Sequence, residues 1–298
     1  MSIQHDVYPS RVHAEPQILD RQDPVVYSDG DPDGEYLTKE QVERFRRDGF
    51  LVMKDLFSPE EVESFLAELR KLAESDEIRN ADESITEPNS GIVRSIFRIH
   101  RLSDLYWRLS RDPRLVKPLR FLLNDDIYIH QSRVNMKPGF AGKEFYWHSD
   151  FETWHVEDGL PRMRTISASI ALTPNYLYNG PLMLIPGSHT KYISCVGKTP
   201  EDHYKKSLKK QEFGVPDHDS LRKLADEGGI EAPTGNAGTV VFFDCNTMHG
   251  SNGNITPYPR SNAFFVYNSL ENRAVDPFGG MRPRPEFIGA REEIDVIE

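Results

Sequence analysis

Ile127-Tyr-Ile-His-Gln-Ser-Arg-Val-Asn-Met-Lys137 is the stretch on which the fold reading turns. Side chains along a β-strand leave alternate faces, and from Ile127 onward the apolar pattern takes that period of two. Residues 164–173, 181–185, 239–244 and 262–270 read as further strands, with Lys137-Pro-Gly, Asn179-Gly-Pro and Pro186-Gly-Ser as turns between them. Within the quoted strand, Gln131, Arg133, Asn135 and Lys137 share parity, which predicts that all four line one face.

Upstream the period is helical. Thr38-Lys-Glu-Gln41 is a capping box opening a helix that runs to about Asp48 and ends at Gly49, and residues 50–53 form a short strand. Ser58-Pro-Glu-Glu61 opens a second helix, in which Val62, Phe65, Leu66, Leu69, Leu72 and Ala73 follow the spacing of a buried face. A third helical segment is predicted over residues 102–123, and the polar residues 76–91 read as a mobile loop. Helices first and strands afterwards predict a mainly β chain with flanking helices, a β-sandwich or jelly roll with helices outside one sheet. The expected organisation is an N-terminal arm over residues 1–35 and one domain over residues 36–298. A charged, partly helical insertion at 197–236 has the character of a lid or rim.

In the arm, Asp29-Gly30-Asp31-Pro32-Asp33-Gly34 with Glu40 matches the spacing of a calcium loop. Pro24 and the strand-like Val25-Val26-Tyr27 leave no room for an entering helix, so an acidic turn ahead of the first helix is the expectation.

Composition narrows the function classes. The 298 residues carry 36 basic against 47 acidic side chains, a formal net charge of −11, which argues against a nucleic-acid partner. No stretch approaches the apolar length of a membrane helix, and the N-terminus lacks the basic and apolar runs of a signal peptide. Cys195 and Cys245 are too few for a disulfide framework, so a reduced cytoplasm is the expected compartment.

Just downstream of the opening strand lies Phe145-Tyr-Trp-His148-Ser-Asp150-Phe-Glu-Thr153-Trp154-His155-Val-Glu-Asp-Gly-Leu-Pro161. On a strand, His148 and Asp150 would leave the same face. His249, after the apolar run Val240-Val-Phe-Phe, adds a second imidazole. Two histidines and one carboxylate make the facial triad of non-haem Fe(II) oxygenases, which leaves metal positions open for a co-substrate and O2. Zinc takes the same donors, but the hydrolase motif His-Glu-x-x-His is absent. His155 has the wrong strand parity for a ligand and reads as structural or near the pocket rim, and His189 as a turn residue. Arg260, eleven residues beyond His249, could clamp the distal carboxylate of 2-oxoglutarate through paired hydrogen bonds. Asn135 and Ser167 could hydrogen-bond the same co-substrate.

These motifs, with Pro186-Gly-Ser-His189 and His249-Gly-Ser251, resemble the phytanoyl-CoA dioxygenase-like branch of the 2-oxoglutarate oxygenases. The segment from Phe145 to Pro161 is similar to the signature of the ectoine hydroxylases within it, and the likeness runs from about Tyr36 to Arg291. The resemblance implies a double-stranded β-helix (cupin-like) fold, a homodimer, and conversion of ectoine to 5-hydroxyectoine with Fe(II), 2-oxoglutarate and O2, releasing succinate and CO2. It implies a bacterial source using both compounds as protectants against salt and heat. It also implies Gln131 and Trp154 as ectoine contacts with Thr153 and Phe243 beside them, and Lys137 and Phe145 next to 2-oxoglutarate. Strict alternation, however, puts Phe145 opposite His148. Two other readings stay open: an oxygenase of the same branch with another small substrate, and a jelly-roll protein whose metal is not catalytic.

Overall fold

Two antiparallel sheets face each other with helices outside the larger one, in a computed structural model that describes residues 6–86, 93–200, 203–204 and 213–297. The elements in chain order are β1 (Gln17–Asp20), α1 (Lys39–Asp48), β2 (Phe50–Met53), α2 (Pro59–Glu74), α3 (Asp76–Arg79), β3 (Ser84–Thr86), β4 (Val93–Phe97), α4 (Ile99–Leu102), α5 (Asp104–Ser110), α6 (Pro113–Leu123), β5 (Ile127–Lys137) and β6 (Phe145–His148). There follow α7 (Asp150–Thr153), which continues as a π-helical turn over Trp154–Asp158, then β7 (Thr165–Ala171), β8 (Leu182–Leu184), β9 (Lys191–Ser194), α8 (His218–Gly228), β10 (Val240–Asp244), β11 (His249–Ser251), β12 (Arg260–Ser269) and β13 (Asp295–Ile297). The larger sheet runs β2-β10-β7-β12-β5-β4-β3 with β13 also on β5, and the smaller runs β6-β11-β8. This is the jelly-roll arrangement that the mixed pattern predicted.

Local chemistry explains the helices. Thr38 and Ser58 cap α1 and α2 as full capping boxes, each worth about 1 kcal/mol. Val62, Phe65, Leu69 and Leu72 of α2 are buried, at roughly 1.5–3 kcal/mol for each large side chain. They join Phe45, Leu115, Leu119, Leu122, Ile129, Val134, Ile170, Phe242 and Phe265 in the core between the helices and the outer face of the large sheet. Gly49 ends α1 at φ +81, and a Cβ there would lie 2.3 Å from the His189 ring, so only glycine fits.

Several expectations need correction. The single helix over residues 102–123 is two helices, α5 and α6, because Ser103 and Asp112 each cap a new start and Pro113 takes the first position of α6. The supposed loop at 76–91 carries α3, capped by Ser75, and β3, which pairs with β4; residues 87–92 lie outside the described set. The insertion at 197–236 does contain a helix, α8, while 201–202 and 205–212 lie outside the described residues. The arm contributes a strand that the sequence reading missed, since β1 pairs with β9, and the acidic turn expected ahead of α1 is held by Asp33 accepting from the amides of Glu35 and Tyr36. No helix among the described residues is long and apolar enough to cross a membrane.

β5 works on two sides through one irregularity. Its pairing with β12 shifts register between Val266 and Tyr267, so that Val266 faces Gln131 and Tyr267 faces Ile129. The extra residue, His130, reverses the alternation. Ile127 and Ile129 therefore pack in the helix-side core, while Gln131, Arg133, Asn135 and Lys137 line the cavity between the sheets.

Candidate metal centre and cavity

β6 and β11 pair so that His148 lies directly opposite His249, with ring centroids 4.2 Å apart. β6 stops at His148, and here the structure corrects the sequence reading. Asp150 is not on the strand but in the first turn of α7, whose N-cap is Ser149. It still converges on the histidines, its oxygens lying 3.6 Å from His148 Nε2 and 3.7 Å from His249 Nε2. One donor atom from each of the three buried residues falls within 4.8 Å of the others.

The donor chemistry suits a divalent metal. His148 Nδ1 lies 2.8 Å from the Tyr146 carbonyl and His249 Nδ1 2.9 Å from that of Thr247. A carbonyl only accepts, so each Nδ1 carries the proton and each Nε2 presents a lone pair to the shared point. Burial, with His148 close by, pushes His249 down to about 4 and keeps it neutral. Burial opposes ionisation of Asp150, but His249, His148 and Arg133 outweigh it and hold the carboxyl below its usual range. Phe243 packs behind His249, ring centroids 5.0 Å apart, and restrains its plane.

His148 and Asp150 of the triad line a cleft of about 1060 Å³, open mouth included. One wall is the strand pair β5–β12. Lys137 and Arg260 are register partners there, and both are substantially buried. The buried Nε atoms of Arg260 and Arg133 have no hydrogen-bond partner, and neither guanidinium pairs with a carboxylate among the described residues. Burial lowers Arg260 to about 10, and burial with neighbouring Arg260 lowers Lys137 to about 7. Lys137 Nζ donates to Ser251 Oγ at 2.9 Å. Such a concentration of unneutralised charge in a buried pocket is costly unless an anion joins it.

The facing wall is α7 and its π turn, which put Asp150, Thr153, Trp154 and Glu157 on one side toward the cleft. π turns recur at functional sites because they re-aim side chains within a helix. Trp154 is buried against His130, with the rings edge to face at 5.5 Å.

A profile of the phytanoyl-CoA dioxygenase (PhyH) family matches residues 45–262, most of the chain and both metal-bearing strands. The chain belongs to the phytanoyl-CoA dioxygenase family. Among its relatives in that family is the ectoine dioxygenase of Bordetella bronchiseptica, 57% identical over 292 residues that cover 98% of this chain and 94% of that protein. The crystal structure of EctD from S. alaskensis with 2-oxoglutarate and 5-hydroxyectoine is 50% identical, with a TM-score of 0.89 over 98% of this chain and 97% of that one. The structure of the same protein with bound Fe is 49% identical, with a TM-score of 0.88 and the same coverage.

Seen as a member of the phytanoyl-CoA dioxygenase family, the chain brings most of the residues singled out from its sequence to one place. Gln131, Asn135, Lys137, Phe145, His148, Asp150, Thr153, Trp154 and Arg260 line the cleft. Phe145 does so despite strict alternation, because the β6–β11 pairing shifts between His249 and Ser251 and places it 5.0 Å from the His148 ring. Ser167 and Phe243 are not cleft-lining: Ser167 is a buried partner of Phe243 in the sheet, its hydroxyl without a partner, and Phe243 sits in the apolar layer between the sheets. Gln131 spends its amide nitrogen on the Ile288 carbonyl, and Asn135 accepts from Ser95, so both are oriented by neighbours. His155 is structural, bonded to the Leu160 carbonyl and Asp6 and stacked on Phe278, and His189 lies in a one-turn 3-10 segment. The sequence reading did not select Glu157, Ser251 or Arg284, which also line the cleft. The helical spacing of Asp150, Thr153, Trp154 and Glu157 is a readable signal that a strand reading of the segment hides. Arg284 lies in irregular chain and carried none.

Proposed function

We propose that this protein hydroxylates ectoine to 5-hydroxyectoine, consuming 2-oxoglutarate and O2 and releasing succinate and CO2. The observation that carries the reading is one cleft holding a metal triad at its floor, unneutralised buried cations on one wall and an aromatic, carboxylate-bearing helix on the other. It is supported by near full-length similarity to proteins named ectoine dioxygenase and to a structure holding 2-oxoglutarate and 5-hydroxyectoine.

His148, Asp150 and His249 would hold Fe(II), which when bound supplies the O2 activation that amino-acid side chains cannot. Arg260 receives the distal carboxylate of 2-oxoglutarate through its planar fork, with Lys137 and Ser251 alongside. Phe145 and Asn135 border the co-substrate, and Phe145 shields it from water. Trp154 offers its face to the delocalised cation of ectoine, with Thr153 and Gln131 supplying hydrogen bonds. Holding the reacting C–H bond near the metal while water is excluded is the chain's main contribution to rate. Ser167 and Phe243 support from behind rather than touch either ligand. Residues 36–298 act as one catalytic unit, with residues 1–35 laid over it. The enzyme works in the cytoplasm as a homodimer, and light scattering of the purified protein at twice the 34.2 kDa chain mass is the expected result. The deciding experiment is ectoine-dependent succinate release with identification of the product. Equal amounts of succinate and 5-hydroxyectoine are expected, and succinate release indifferent to ectoine would overturn the substrate assignment.

A further inference from the structure

The residues ahead of β1 touch the back of the very helix whose front lines the cleft. Tyr8 is fully buried against Phe151, edge to face at 5.2 Å, and Asp6 receives the His155 ring at 2.9 Å. Arg11 makes the densest contact. Its Nε and Nη2 grip both oxygens of Glu152 at 2.9 and 2.7 Å, its Nη1 meets Glu157 at 2.7 Å and also bonds Thr199, and Ser10 adds a bond to Glu152 at 2.6 Å. The Arg11, Glu152 and Glu157 side chains are all less than 5% exposed. Glu157 reaches the cleft from the other side and lies 3.8 Å from Arg284, which is itself clamped to Asp158.

Two further features converge on the same point. Arg11 sits at φ +60, a left-handed conformation that non-glycine residues rarely adopt and that surrounding contacts must enforce. Gly214, in the insertion just ahead of α8, packs so closely that a Cβ there would overlap Glu152 Oε2 and Arg11 Nη2. The adjacent Phe213 lines the cleft. Three segments distant in sequence are thus keyed to one guanidinium.

We propose that Arg11 is a positioning residue for substrate: it never reaches the cleft, but it fixes α7 and its π turn so that Thr153, Trp154 and Glu157 present the face that recognises ectoine. His148 and His249 stand on paired strands, and Asp150 at the start of α7 is anchored independently of Arg11, because the Phe151 amide donates to the Cys245 carbonyl and Ser149 donates to Asn246; the cation wall on β5 and β12 needs no such help either. Loss of Arg11 would leave Glu152 buried without its partner and let Glu157 turn toward Arg284. Substrate recognition would suffer while co-substrate binding would not.

The inference rests on the proposed function for the name of the ligand, and its test separates the two. Arg11→Gln, loaded with Fe(II) and 2-oxoglutarate under anaerobic conditions, is expected to keep the wild-type charge-transfer band and titration midpoint. Its affinity for ectoine by calorimetry should fall about tenfold or more, since displacements of about 1 Å far from the chemistry can cost roughly 100-fold. Amide exchange over residues 152–158 should quicken, with residues 127–137 unchanged, a readout that requires no substrate. Arg11→Gln combined with Glu152→Gln removes the stranded charge and serves if the single variant folds poorly; it should recover much of both the exchange protection and the affinity. Wild-type exchange over 152–158 in Arg11→Gln would overturn the proposal, as would equal losses for ectoine and 2-oxoglutarate. Should the wild type itself ignore ectoine, the proposed function fails, and the exchange comparison still decides the role of Arg11.

Discussion

The strand wall of the cleft hangs on a backbone ladder, whereas the helix wall hangs on side chains. Gln131, Arg133, Asn135, Lys137 and Arg260 are placed by main-chain pairing between β5 and β12, flanked by β4 and β7. Because their positions do not depend on their own polar contacts, two of them, Arg133 and Arg260, can stay without carboxylate partners among the described residues. Residues 150–158 instead end in a π turn and depend on Arg11, Arg284 and Asp6 from remote segments. A buried cation without an anion is a binding group, and a buried cation gripping a carboxylate is a strut. That distinction separates Arg260 from Arg284, though both line the same cleft.

The largest expected effect lies where the walls meet. Asp150→Ala should abolish ectoine hydroxylation while circular dichroism and the melting temperature stay near wild type, and retained turnover would remove Asp150 from the metal site. Arg284→Ala should cost about 3–5 kcal/mol in denaturant unfolding, because it strands buried Asp158. Arg260→Ala should do the reverse: stability unchanged or raised, but the KM for 2-oxoglutarate up roughly 10- to 100-fold, from the ~1.5–3 kcal/mol of charge-assisted hydrogen bonds. Equal destabilisation by both variants would break the strut-and-ligand distinction.

Lys137 sharpens it through pH. Burial and Arg260 push its ammonium down to about 7 in the folded protein, whereas the unfolded chain keeps that proton to about pH 10.4. Between those values the unfolded state binds more protons, so this group makes stability rise with pH across the window, with its full penalty present below pH 7. A dicarboxylate favours the charged form, so binding should take up a proton above pH 7 and weaken as pH rises. Calorimetry in buffers of different ionisation heat measures that uptake, and Lys137→Met should erase it. The smallest effect is expected at Trp154. Trp154→Ala should weaken ectoine by about 2- to 30-fold, the ~0.5–2 kcal/mol of a cation–π contact, with little change for 2-oxoglutarate.

The strand wall was legible in the sequence because alternation is a local property: the shared parity of Gln131 to Lys137 placed all four correctly. The triad was legible as chemistry, although its geometry was not, since β6 ends at His148 and Asp150 opens a helix. Ser149 is a cap residue, but aromatic neighbours on both sides masked the change of period. The helix wall's supports were illegible for a physical reason. Arg11 pairs with residues 141 and 146 positions away, and no periodicity encodes such a contact. Phe145 was misplaced by alternation because a register shift, invisible in one strand alone, resets the phase.

The extra residue in β5 has a consequence for how this chain tolerates change. Upstream of His130 the strand speaks to oil, and downstream it speaks to ions, although the odd-numbered positions continue without a break. Chain length at that one point acts as a reading frame. Ironing out the bulge at constant chain length would bring Ile127 and Ile129 into the same phase as Gln131, Arg133, Asn135 and Lys137, whereas deleting His130 with it would leave a regular strand with the two faces as they are. Substitutions along β5 can be graded one by one, but a one-residue deletion in the regular stretch after the bulge moves every later side chain to the opposite face together.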